Sequence, residues 1–71
     1  MRVKLVKLRE VSGYTQETFA KAIDISRSHY SQIETGEKAP SLEVALRIKR
    51  VLGYNNDDIF FNPKHPKTGQ K

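Results

Sequence analysis

The sequence predicts an all-α fold of five short helices, and two observations carry that expectation. Residues that cap helix starts recur along the chain at Thr15, Ser26, Ser41 and Asn55, while Gly13, Gly36 and Gly53 stand where helices would stop. Between these marks, apolar residues repeat at spacings of three and four, the period of one helix face.

Helix one is expected over residues 2–11, with Leu5 and Leu8 facing inward and Lys4, Lys7 and Glu10 outward. Ser12 and Gly13 end it, and Tyr14 packs beside the next helix. Thr15 opens helix two, followed by Gln16 and Glu17 in the first turn; Phe19, Ala20 and Ile23 share a stripe, with Glu17 and Lys21 on the other side. Asp24 tolerates a left-handed backbone and so permits a sharp turn before Ser26 caps helix three. Gly36 stops that helix, and residues 37–40 form a short exposed loop. Ser41 caps helix four, with Glu43 in its first turn; Leu42, Ala45, Leu46, Val51 and Leu52, with Val44 and Ile48 nearby, are expected to complete the core. Arg47, Lys49 and Arg50 suit the carboxyl end of that helix, although a basic patch for a polyanion is the competing reading. Asn55 is expected to cap a fifth helix, with Asp57 and Asp58 near its positive end.

Three large apolar residues, Ile59, Phe60 and Phe61, follow in succession and cannot all face one core from a helix. They form the candidate dimer contact, with Tyr54 and Leu52 nearby; the alternative is that Phe61 folds back onto helix one. From residue 62 onward there are two prolines, one glycine and no aliphatic side chain. One domain is therefore expected over residues 1–62, with a basic, disordered tail over 63–71.

Residues 15–36 carry the most specific signal. Tyr30 and Ile33 lie together on one side of helix three, and Ser28, Ser31, Gln32 and Thr35 take the opposite direction, flanked by Arg27 and His29. A merely solvated face would be rich in Glu and Lys, the good helix formers; this one is short and polar, which suggests contact chemistry. Gln pairs bidentately with adenine in the major groove, Arg with guanine, and Ser with either.

The spaced pattern L-R-x-x-x-G-x-T-Q-x-x-F-A, then I-x-I-S-x-x-x-Y-S-x-I-E-x-G, P-S-L and L-G, occupies residues 8–53 of a longer match that runs over about residues 5–61. It resembles the helix-turn-helix domain of phage repressors and Cro proteins, the Xre-like family. The resemblance implies a lambda-repressor-like compact bundle of five short helices that binds operator DNA, usually as a dimer. It implies that residues 26–35 are the recognition helix, with Arg27, Ser28 and Gln32 reading bases and Gln16 contacting a phosphate. It also implies an ion pair between Arg9 and Glu34, and a phosphate-facing loop at Lys38. Two independent surface charges are the alternative for Arg9 and Glu34. His29 is a candidate base-edge contact and Ser31 a candidate phosphate contact, while Arg2 and Lys4 either touch phosphate or form a solvated basic face. Two positions depart from the family pattern: Asp24 stands where Gly is common, and Asn56 where an apolar residue is common.

Composition bounds the function. With 71 residues there is room for one domain, which buries roughly 60% of its unfolded surface and so has a small margin of stability. The net charge is +5, but three of the thirteen Lys and Arg are in the last nine residues, and the rest exceed the eight acids by only two. Any attraction to DNA must rest on where the charges sit. The absence of cysteine excludes disulfides and Cys-based zinc sites. No apolar run approaches the roughly 18 residues of a membrane span, so a cytoplasmic location without membrane association is expected. His29 and His65 lack the partners of a nucleophile or metal site, and no Gly-rich phosphate loop occurs, so neither enzyme activity, metal, cofactor nor small-molecule ligand is expected. The expected function is sequence-specific regulation of transcription, as a repressor, by a homodimer on double-stranded DNA with a pseudo-palindromic operator. The rival is a protein-binding module such as an antitoxin, whose contact face would favour large apolar anchors over Arg27, Ser28, His29, Ser31 and Gln32.

Overall fold

The computed structural model describes residues 1–60. They form four α-helices, α1 (Val3–Val11), α2 (Gln16–Ala22), α3 (Arg27–Thr35) and α4 (Leu42–Leu52), and a 3₁₀ turn at Asp58–Phe60. The starts follow the capping residues. Thr15 and Thr18 make a reciprocal box, each hydroxyl accepting the other's backbone N–H at 3.1 and 2.9 Å. Ser26 accepts from the N–H of His29 at 3.0 Å, and Ser41 from that of Val44 at 3.2 Å.

The expected fifth helix is a single 3₁₀ turn, closed by the Phe60 N–H on the Asp57 carbonyl at 3.0 Å. Asn55, Asn56, Asp57 and Asp58 are poor helix formers, and Pro63 disfavours helical geometry at the residue before it. Too few residues remain between them to nucleate an α-helix.

Leu5, Phe19, Ala20, Ile23, Tyr30, Ile33, Val44, Ile48 and Ile59 form the core. Tyr14, Phe19 and Tyr30 stack edge to face in series, with centroids 5.2 and 5.1 Å apart, so aromatic rings seal α2 against α3. Two expectations are corrected. Helix α4 turns Val44, Ile48, Val51 and Leu52 inward, while Leu42 and Leu46 are exposed at 78% and 48%. At 100° per residue Val44, Ile48, Val51 and Leu52 fall on one arc and Leu42 and Leu46 lie beyond it, so the apolar period itself marks the inward face; Arg47, at the edge of that arc, reaches the Ile23 carbonyl at 3.3 Å. Ile59 is fully buried within the chain and offers nothing to a dimer partner. Phe60 packs partly against the same core; Phe61 and the expected tail lie outside the described residues.

The 3₁₀ turn docks on α1 through polar ties at its rim. Lys4 Nζ donates to Asp58 Oδ2 at 2.5 Å, and the Tyr54 hydroxyl donates to Asp58 Oδ1 at 2.8 Å. The hydrogen bond from Lys4, then that from Tyr54, hold the Asp58 carboxyl below its usual range, and the Lys4 ammonium is raised in turn by Asp58. A carboxyl lowered on folding stabilises the fold fully above its unfolded pKa, about 3.9, and loses that contribution as pH falls through the lower folded value. The stability difference between wild type and Asp58→Asn should therefore be constant from neutral pH to about 5 and shrink below about 4. Urea unfolding across that range measures it; a difference that does not change with pH would disprove the assignment to Asp58.

Candidate nucleic-acid interface

The turn between α2 and α3 sets the angle at which α3 leaves the core. Asp24 has φ +64°, in the left-handed region where Gly is common and Asp is tolerated. Around it the Ile25 N–H bonds to the Ala20 carbonyl at 3.0 Å and the Asp24 N–H to the Lys21 carbonyl at 3.2 Å, a Schellman closure of α2. Ile25 packs against the core just beyond. The chain therefore re-enters a helix after one short turn.

Helix α3 divides by face. Tyr30, Ile33 and Glu34 are buried. Arg27, Ser28 and Thr35 are exposed, with Ser31 and Gln32 partly so. At 100° per residue these five span a single open sector opposite the buried three, whereas His29 stands at its rim. The sector holds one cation, two hydroxyl-bearing serines, an amide and a threonine whose hydroxyl donates to the Gln32 carbonyl at 3.1 Å; the cation, serines and amide are the group types that pair with base edges or phosphate oxygens.

Beneath this face, Glu34 gathers three helices. Its side chain is 1% exposed. Oε2 accepts from Arg9 Nε of α1 at 2.6 Å and from the Tyr30 hydroxyl of α3 at 2.5 Å, while Oε1 accepts from Gln16 Nε2 of α2 at 2.9 Å. Arg9 Nη1 donates onward to the Tyr14 carbonyl at 2.7 Å. Burial, and then the Glu34 carboxylate, push the Tyr30 phenol far above its ordinary range, so the hydroxyl stays a donor at any working pH.

Arg9 and Glu34 thus meet directly. Gln16 is held by Glu34, and one of its two amide N–H groups is used there. It lines a cleft of about 450 Å³ together with Arg9, Thr15, Glu17 and Arg27, which brings the candidate phosphate contact Gln16 and the candidate base contact Arg27 to one surface. Lys38 is exposed on the loop after α3. Arg2 is not on a solvated basic face: it is 7% exposed, and its guanidinium donates to the carbonyls of Ile33, Lys38 and Phe60. Desolvation in this site lowers its pKa. Lys4 is occupied by Asp58, Arg47 by Glu43 at 2.6 Å and Lys49 by Asp57 at 2.7 Å. The basic cluster of α4 is therefore partly tied up in local ion pairs. A signal for Arg2 was present: residues 2, 5 and 9 share one helical stripe, and Leu5 and Arg9 face inward.

Among the described residues, no group of three or more His, Asp or Glu side chains comes together as a metal site, and no helix is long and apolar enough to cross a membrane.

The sequence model of the helix-turn-helix family matches residues 5–58. An uncharacterized HTH-type transcriptional regulator of Bacillus subtilis, YqaF, is 44% identical over 69 residues, covering 92% of this chain and 91% of that protein. MJ0272 of Methanocaldococcus jannaschii, also an uncharacterized HTH-type transcriptional regulator, is 38% identical across 84% of this chain and 91% of its own length. The control protein C.MunI of a Mycoplasma species is 41% identical across 80% and 78%. No solved structure matches significantly.

Removing Glu34 would strand a buried guanidinium and the buried Tyr30 hydroxyl, and would free the half-buried Gln16 amide. Glu34→Ala should cost about 3–5 kcal/mol, much of the roughly 5 kcal/mol that a domain of this size holds. Arg9→Met, Tyr30→Phe and Glu34→Leu together should recover most of that loss, because joint removal leaves neither an uncompensated charge nor a stranded buried hydroxyl. Urea unfolding at low temperature compares the variants; a loss under about 1 kcal/mol for Glu34→Ala would show the network to be dispensable.

Proposed function

The chain belongs to the Xre-like helix-turn-helix family of DNA-binding transcriptional regulators, and on that premise we propose that it reads a specific operator through the open face of α3 and represses the promoter it covers. The observation that carries this reading is the division of α3. One side is locked by Tyr30, Ile33 and Glu34, and the other presents Arg27, Ser28, Ser31, Gln32 and Thr35 without a large apolar anchor. That composition suits the donor and acceptor pattern of the major groove better than a protein surface.

Arg27, Ser28 and Gln32 read base edges, with His29 at the rim. Gln16, Ser31 and Lys38 meet phosphates and set the register. Gln16 suits that role because Glu34 fixes its amide while leaving one N–H to donate. Two copies related by a two-fold axis place their α3 helices in successive major grooves, with half-site centres roughly 34 Å apart on a pseudo-palindromic site. The chemistry is binding alone, without catalysis or cofactor, and the regulator acts in the cytoplasm by occupying DNA.

Selection of bound sequences from a randomised duplex pool, at near-physiological salt to suppress bare charge attraction, should recover a two-fold symmetric motif. Recovery of nothing above background would overturn the reading and favour a protein partner such as a toxin. On the recovered site, Gln32→Ala should weaken binding by about 1–3 kcal/mol and weaken binding to random DNA much less. Fluorescence anisotropy on both duplexes measures this, and equal weakening would make Gln32 a positioning contact only.

A further inference from the structure

Among the described residues, three helices close their carboxyl ends with their own chain. After α1, the N–H groups of Gly13 and Tyr14 bond to the carbonyls of Glu10 and Arg9 at 3.0 and 3.1 Å. After α4, those of Gly53 and Tyr54 bond to Arg50 and Lys49 at 3.2 and 2.9 Å, and α2 closes in the same way around Asp24. Helix α3 differs. The Gly36 N–H bonds to the Ile33 carbonyl at 3.3 Å as at the other ends, but the last turn holds no basic residue and the second bond back comes only from Lys38, whose N–H reaches the Gln32 carbonyl at 3.1 Å.

Arg2 supplies the cation that the last turn of α3 lacks. Its backbone N–H bonds to the Glu34 carbonyl at 2.8 Å, and its Nη1 donates to the Ile33 carbonyl. The same Nη1 donates to the Lys38 carbonyl at 3.0 Å, and Nε donates to the Phe60 carbonyl at 2.8 Å. No carboxylate of the described residues lies within ion-pair distance of Arg2, so the negative end of the α3 dipole is its counter-charge. One guanidinium thereby joins the end of the recognition helix, the loop that follows it and the 3₁₀ turn. A lysine could not do so, since its ammonium is a compact charge without the planar fork.

We propose that Arg2 is a positioning residue for DNA binding: it fixes the loop carrying Lys38 against the end of α3, so that Lys38 meets a phosphate in register with the base-reading face. This rests on the reading above that Lys38 contacts phosphate. A purely structural Arg2 would raise stability and leave the geometry of the complex alone. A positioning Arg2 acts through Lys38, and its loss should be visible in the salt dependence of binding, where each lost phosphate contact lowers the slope by about one.

The test is anisotropy across a salt series, well below the melting temperature, on a duplex carrying the selected motif or on a random duplex where none is recovered. Lys38→Ala should reduce the slope of log K against log salt by about one. Arg2→Met, shown to be folded by circular dichroism, should give the same reduction, and the double variant should fall no further. Arg2→Lys, which keeps the charge and loses the fork, should behave like Arg2→Met and carries the test where Arg2→Met does not fold. Arg2 variants with a lower melting temperature and a wild-type slope would overturn the proposal while leaving the phosphate role of Lys38 intact. A wild-type slope for Lys38→Ala would instead remove that role, and the proposal with it.

Discussion

The arrangement of this chain depends on one buried carboxylate. Glu34 is the point at which α1, α2 and α3 meet, through Arg9, Gln16 and Tyr30. Such a centre adds little net stability, because desolvation of the two charges offsets most of their attraction. It adds direction. Apolar contacts between Phe19, Ile23, Tyr30 and Ile33 hold the helices together but permit small rolls and slides, whereas charged hydrogen bonds near 2.6 Å permit only one registry. Under the proposed function, a helix that presents five polar side chains to DNA requires that registry more than it requires extra stability.

The same requirement explains how α3 is held along its length. Its start is fixed by the Ser26 cap and the tight turn at Asp24, its middle by Glu34, and its end by Arg2. The turn is braced in turn from α4, where Arg47 bonds both the Ile23 carbonyl and Glu43. Each support comes from the side facing the core or from an end, so none consumes a group on the open face.

Most of the backbone plan was legible in the sequence because it is written in local signals. Thr15, Ser26 and Ser41 cap the helices whose starts they mark, and Asp24 takes the left-handed turn expected of it. Signals that depend on distant partners were harder to read. Arg2 bonds to backbone carbonyls 31, 36 and 58 positions away, and a carbonyl has no residue type to recognise. Gln16 meets Glu34 across 18 positions, a pairing that neither residue announces. In α4, Leu42 and Leu46 are as apolar as Val44 and Ile48, so composition does not separate them, but their direction on the helical wheel does. The expected fifth helix failed for a local reason that could have been weighed: four poor helix formers precede Ile59, and Pro63 follows closely.

Charge placement completes the account of the candidate interface. Of the ten Lys and Arg within residues 1–60, Arg2 and Arg9 are buried and bonded inside, and Lys4, Arg47 and Lys49 are paired with Asp58, Glu43 and Asp57. Lys7, Lys21, Arg27, Lys38 and Arg50 remain exposed without an ion pair among the described residues. Arg27 and Lys38 bracket α3 in sequence, one at its first position and one in the loop beyond its end. Exposed charges act over a Debye length of about 10 Å, so charges close to α3 count for more than the total, and the exposed Glu17 and Glu37 beside Arg27 and Lys38 count among them. Under the proposed function, a folded region with a small net positive charge addresses a polyanion through bare cations that include Arg27 and Lys38 at the two ends of α3, while Lys4, Arg9, Arg47 and Lys49 are paired with acids.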